Sequence, residues 1–126
     1  MKSILLVDDD PDLTEIYTEL LEQLGFSITS APDGQEALAL APRLRPDLII
    51  TDVSMPRMNG LELCRRLRAD PRLHAIPLII HSSEVELRVP HGEVFLPKPC
   101  ELSALLTLVD QMLADSQDDP LLASVA

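Results

Sequence analysis

The stretch LLVDDDPDLT, Leu5 to Thr14, decides the fold. Its first half is apolar without a break, and Ile4 to Val7 reads as a strand buried on both faces. Its second half is a helix start, with Asp10 as the capping acid and Pro11 in the first turn. Leu13, Ile16, Tyr17, Leu20, Leu21 and Leu24 then recur at helical spacing until Gly25 ends the run. Between strand and helix stand three consecutive aspartates. Their mutual repulsion calls for a reason. Capping accounts for Asp10. Asp8 and Asp9 form either a solvated corner or half of a cation site.

The same alternation continues along the chain. Phe26 to Ser30 reads as a short strand, and Asp33-Gly34 opens a helix through Ala37, Leu38 and Ala41, with Pro42 and Pro46 bracketing its exit. Leu48 to Thr51 is a buried strand that delivers Asp52. The loop SMPRMNG follows, then a helix on Leu61, Cys64 and Leu67. Leu78 to His81 and Val94 to Leu96 are further strands, and Leu102, Leu105, Leu106, Val109, Met112 and Leu113 mark a last amphipathic helix. Apolar strands alternating with helices predict a parallel sheet covered on both faces, in one domain over residues 1–114. Residues 115–126, DSQDDPLLASVA, lose periodicity and are expected to form a disordered tail.

Composition narrows the function. The chain has 126 residues, 46% hydrophobic and only 2% aromatic, so its core is aliphatic. Its formal charge of -11 repels phosphate backbones and anionic membranes, and with no Trp and one Tyr it lacks the rings for base stacking. Neither a nucleic-acid nor a membrane partner is expected. Cys64 and Cys100 are far apart and have no metal-ligand spacing, which suits reduced thiols in a cytoplasmic protein. The opening apolar run is too short for a signal or a span.

In open parallel sheets chemistry collects at the carboxyl ends of the strands. Asp8 and Asp9 leave the first strand there, and Asp52 leaves the third, about forty residues later. Three converging carboxylates raise a pKa or demand a cation, and a hard cation such as Mg²⁺ suits oxygen ligands. Ser82 and Lys98 reach the same edge from the last two strands. An acid nucleophile, a metal, a lysine and a hydroxyl are the parts of phosphoryl transfer to a carboxylate.

At these residues the chain resembles a known family. LLVDDD, LIITDVSMPRMNG, IPLIIHSS and LPKP, each behind its own strand, are similar to the motifs of the response-regulator receiver domain of two-component phosphorelay signalling. The resemblance implies a flavodoxin-like α/β fold, a doubly wound five-stranded parallel sheet of order 2-1-3-4-5. It implies that Asp52 is the phosphoacceptor for a histidine kinase, a phosphotransfer protein or a small phosphodonor. It implies that Asp9 binds Mg²⁺ directly, that Asp8 holds a metal-bound water, and that Ser54 offers its backbone carbonyl. Ser82 matches the switch hydroxyl, Lys98 the lysine that bonds the phosphoryl group, and Phe95 the aromatic switch residue. Lys98-Pro99 matches a peptide bond that is typically cis. Such a domain phosphorylates and dephosphorylates itself, yet signals by binding a downstream protein, here as a stand-alone monomer or weak dimer.

Two departures matter. The connection Ser83 to Glu93 has eleven residues where the family has a full helix, and Pro90 and Gly92 spoil its second half. One helical turn near Glu84 to Arg88, or none, is expected. His81 stands where an apolar residue is usual, facing either the helix side or the rim of the site. Two rival readings follow. A phosphate-independent pseudo-receiver keeps the fold as a binding module, and the altered connection is its support. A haloacid-dehalogenase-like phosphatase would pair Asp8 with Asp10, but Asp12 stands where Thr or Val is required, and the chain has no room for a cap.

Overall fold

The structure, a computed structural model, describes residues 1–84 and 87–117. Among these residues five strands and four helices follow one another, alternating except where β5 succeeds β4: β1 (Ser3–Val7), α1 (Pro11–Gln23), β2 (Ser27–Ala31), α2 (Gly34–Leu44), β3 (Leu48–Thr51), α3 (Gly60–Ala69), β4 (Leu78–Ser82), β5 (Val94–Pro97) and α4 (Leu102–Gln117). The strands form one parallel sheet in the order β2-β1-β3-β4-β5. The alternation predicts the parallel sheet, and the flavodoxin-like, doubly wound order is the one that the resemblance implies.

Side chains alternate across the sheet and so build two cores. Leu5, Val7, Ile49, Leu78 and Ile80 face α2 and α3, where they meet Ala37, Ala41, Leu63, Cys64 and Leu67. Ile4, Leu6, Leu48, Ile50 and Ile79 face the other way and meet Leu21 of α1 and Leu105, Val109 and Leu113 of α4. The central strands are buried throughout, which is why they read as continuous apolar runs.

Local signals set the helix ends. Asp10 accepts from the N–H groups of Asp12 and Leu13 at the start of α1, and Asn59 caps α3 through Glu62 N–H. Ile16 lies outside the buried stripe of α1, at 60% exposure; at 3.6 residues per turn it sits roughly 140° around the helix from Leu21. Proline 42 does not end α2. The helix runs through Pro42 to Leu44, and Arg45, with left-handed φ of 46°, closes it through an N–H bond to Ala41. A proline costs one i→i−4 bond, and the ladder resumes beyond it.

The connection from β4 to β5 holds no helix among its described residues, 83–84 and 87–93. Leu87, Val89 and Phe95 pack instead against the α2–α3 core. At the other end α4 continues to Gln117, three residues into the expected tail; residues 118–126 lie outside the described residues.

Candidate functional site

Three strand ends bring the acids together. Asp52 follows β3, and its N–H bonds the carbonyl of Val7 at 2.8 Å, which sets it beside the end of β1. Asp8 and Asp9 leave β1 at that level. One oxygen from each of Asp8, Asp9 and Asp52 lies within 4.8 Å of the others. Asp8 is buried, Asp52 half-buried and Asp9 exposed.

Lys98, just past β5, reaches into this cluster. Its Nζ lies 2.7 Å from Asp8 Oδ2 and 3.2 Å from Asp52 Oδ2. Burial disfavours the ammonium, but the bonds and charges of Asp8 and Asp52 outweigh that and hold Lys98 above the ordinary lysine range. The other carboxylate oxygens are also engaged. Asp8 Oδ1 accepts from Asp10 N–H at 2.9 Å, and Asp52 Oδ1 from Val53 N–H at 2.6 Å. Asp9 has no hydrogen-bonding or ionic partner among the described residues.

Three carboxylates against one ammonium leave a surplus of two negative charges. The donors are all oxygens, and one of them is free and exposed. That donor set fits a hard divalent cation such as Mg²⁺ and gives a soft metal no sulfur or imidazole.

The loop behind Asp52 is tightly held. A side chain at Gly60 would put its Cβ 1.9 Å from the Asp52 carbonyl oxygen, so only glycine lets α3 start this close to the acid. At Gly34 a Cβ would meet the Met58 carbonyl oxygen at 2.6 Å, and the Gly34 N–H bonds that same oxygen at 3.0 Å. Arg57, at φ 66°, sends its guanidinium to the buried Asp33 carboxylate, with Nε at 2.8 Å. The N–H of Glu36 and the Arg57 guanidinium hold Asp33 below the usual carboxylate range.

Ser82 ends β4, is buried, and its Oγ accepts from Glu84 N–H at 3.2 Å. The Glu84 carboxylate in turn accepts from the Ser54 hydroxyl. Lys98 N–H bonds the Ser82 carbonyl at 2.9 Å, and Lys98-Pro99 is cis. Phe95 is half-buried against the α2–α3 core. His81 faces the helix side, not the rim: it is buried and bonded to Tyr17 of α1.

The structure thus brings together Asp8, Asp9, Asp52 and Lys98, and sets Ser54 on the loop after β3 and Ser82 at the end of β4. Asp10 turns away to cap α1, so the Asp8–Asp10 pair of the phosphatase reading does not form. Sequence reasoning missed Glu84, the Asp33–Arg57 pair, and Thr51, whose buried hydroxyl bonds the Asp52 carbonyl at 2.8 Å. Asp33 was legible as a cap. Nothing in the order of residues ties it to Arg57, twenty-four positions on.

Comparison with known proteins agrees with this arrangement. A family model described as response regulator receiver domain matches residues 4–110. The chain is 37% identical over 120 residues to the DNA-binding response regulator MtrA of Mycolicibacterium smegmatis, covering 93% of this chain and 53% of that protein. It is 38% identical over 127 residues to the response regulator MprA of Mycobacterium leprae, covering 98% and 56%. The chain therefore spans about half the length of these relatives. The signal receiver domain of a signal transduction histidine kinase from Syntrophus aciditrophicus superposes with a TM-score of 0.85 at 34% identity, covering 94% of this chain and 95% of that one. The chemotaxis protein CheY4 of Vibrio cholerae gives 0.79 at 30% identity, covering 90% and 99%.

Proposed function

The chain belongs to the response-regulator receiver family, and from that premise we propose that it is switched by phosphorylation of Asp52. Receiver domains are signalling domains of two-component systems, and this chain is one. The observation that carries the finer reading is the Lys98 ammonium lying between Asp8 and Asp52, with the unpaired Asp9 carboxylate beside them.

In this reading an Asp52 carboxylate oxygen attacks the phosphorus of a phosphohistidine, on a kinase or a phosphotransfer protein, or of a small phosphodonor. The new O–P bond forms as the bond to the leaving group breaks, and the leaving group departs with the bonding pair. Asp8, Asp9, Asp52 and the Ser54 carbonyl would hold Mg²⁺, which supplies positive charge against the phosphoryl oxygens. Lys98 gives up part of its ion pair with Asp52 and bonds a phosphoryl oxygen. The Ser82 hydroxyl turns from Glu84 N–H toward the added group. The new charge repels the Glu84 carboxylate and loosens its bond to Ser54. Leu87, Val89 and Phe95, packed behind that connection, would carry the change to a downstream protein. DNA binding is named for the longer relative MtrA; the receiver chemistry itself makes no use of nucleic acid.

A crossover with no helix among its described residues favours a second reading, a module that binds its partner whatever the state of Asp52. Intact-protein mass after incubation with acetyl phosphate, with and without Mg²⁺, separates the two. The expected result is one Mg²⁺-dependent phosphoryl adduct on the wild type and none on Asp52→Asn. No adduct in saturating Mg²⁺ overturns the phosphoacceptor reading in favour of the phosphate-independent module.

A further inference from the structure

His81 is buried, polar and unused by the chemistry above. It lies in register with Leu96 of β5 and is 2% exposed. Its Nδ1 is 2.7 Å from the Leu96 carbonyl oxygen. A carbonyl only accepts, so Nδ1 carries the hydrogen and Nε2 is left as an acceptor. Nε2 then receives the Tyr17 hydroxyl at 2.9 Å, with the two rings stacked at 5.8 Å between centroids. One imidazole therefore ties β4 to β5 on one side and to α1 on the other.

That tie falls at an edge of the sheet. β5 is an outer strand of four residues, and its last residue, Pro97, has no N–H to give. No helix among the described residues of the β4–β5 connection covers it. Side chains pin it instead. Arg68 of α3 grips Glu93 just before the strand, with two bonds of 2.8 Å. His81 holds Leu96 near its end. Lys98 is two residues beyond Leu96, and its N–H bonds the carbonyl of Ser82, the neighbour of His81. The reach of the Lys98 ammonium to Asp8 and Asp52 depends on where this strand end lies.

We propose that His81 is a positioning residue for phosphoryl transfer at Asp52, holding Lys98 and Ser82 in place through Leu96 and Tyr17 without touching the transferring group. The proposal rests on the reading of Asp52 as phosphoacceptor. It explains why a chain with no helix among the described residues of its crossover has a hydrogen-bonding side chain at a position that is usually apolar.

The test compares wild type, His81→Leu and His81→Asn over a series of acetyl phosphate concentrations in saturating Mg²⁺, reading adduct formation by intact mass. Misplacing Lys98 by a fraction of an ångström lowers the limiting rate in His81→Leu by ~10-fold, with Mg²⁺ affinity within about twofold, because its ligands follow β1 and β3, which the His81 imidazole does not bond. Asparagine offers an N–H near the place of Nδ1, so His81→Asn recovers most of the rate. The Lys98 backbone amide resonance shifts in the leucine variant and returns in the asparagine variant. A wild-type rate in His81→Leu overturns the proposal. So does an equal loss in both variants that follows a fall in melting temperature, which would make His81 a packing residue only. Absence of adduct on the wild type is a different failure, that of the phosphoacceptor reading, and the positioning role falls with it.

Discussion

Three adjacent aspartates meet three different fates. Asp8 turns inward and is neutralised by Lys98, Asp9 stays exposed and unpaired, and Asp10 caps α1. Their order along the chain does not set these roles; the turn from a buried strand into a helix does. The same turn from β3 sets Asp52 beside them. His81 shows the opposite limit. The alternation of strand side chains is legible, but which face of a doubly covered strand takes a polar residue is not, because both faces are apolar. Its burial has a consequence for pH. Desolvation keeps the His81 imidazole below its usual value, so as pH falls the unfolded chain takes up a proton first. Stability contributed by neutral His81 is present above about pH 6.5 and is lost as pH falls from there toward the folded-state value. Urea unfolding at pH steps from about 8 to about 5 should decline more steeply for wild type than for His81→Leu. Parallel declines would show that another group is responsible.

Among the elements, the β4–β5 connection holds no helix in its described residues. Eleven residues cross from one strand to the next, and Arg68 does much of the work that packing does elsewhere. Beyond Glu93 it bonds the carbonyls of His74 and Ile76, at 2.9 and 2.8 Å, so one guanidinium joins α3, the loop before β4 and the start of β5. Glu93 is nearly buried, and Arg68 holds its carboxyl below the usual range. Arg68→Ala would strand that carboxylate and two carbonyls, and should cost about 2–4 kcal/mol. Arg68→Lys should recover only part of this, since an ammonium lacks the planar fork. A lower urea midpoint at unchanged slope is the expected signature; an unchanged midpoint would remove Arg68 from the account of how β5 is held. No sequence pattern pointed to this clamp. Arg68 reads as one of several arginines on an exposed helix, and Glu93 as a loop acid.

At the scale of the molecule, a chain of formal charge -11 folds so that three of its acids face one another across the sheet edge. That arrangement stores repulsion that a bound divalent cation relieves. Mg²⁺ should therefore stabilise the native state, by about 2.7 kcal/mol at a hundredfold excess over its Kd. Thermal melts followed by far-UV circular dichroism should rise with Mg²⁺ but not with NaCl at matched ionic strength. Asp9→Asn removes the carboxylate of this cluster that has no partner among the described residues and should move the Mg²⁺ titration midpoint up by about tenfold or more. An equal response in the variant would show that the cation binds elsewhere.

The sequence alone determined the strands, the parallel sheet and the arrival of Asp8, Asp9, Asp52, Ser82 and Lys98 at one of its edges; the order of the strands follows from its motifs' resemblance to the receiver family. Apolar runs, caps and turn residues are local signals, and a parallel sheet places every strand's carboxyl end at one edge. By length it also left the crossover room for one turn of helix or none, in place of a full helix. Only the tertiary structure decided what replaced that helix and what holds the loops: Arg68 with Glu93, His81 with Tyr17 and Leu96, Asp33 with Arg57, Ser54 with Glu84. Each joins residues far apart in the chain through side chains whose types are common on any surface. Their pairing exists only once the backbone has brought them within hydrogen-bonding reach.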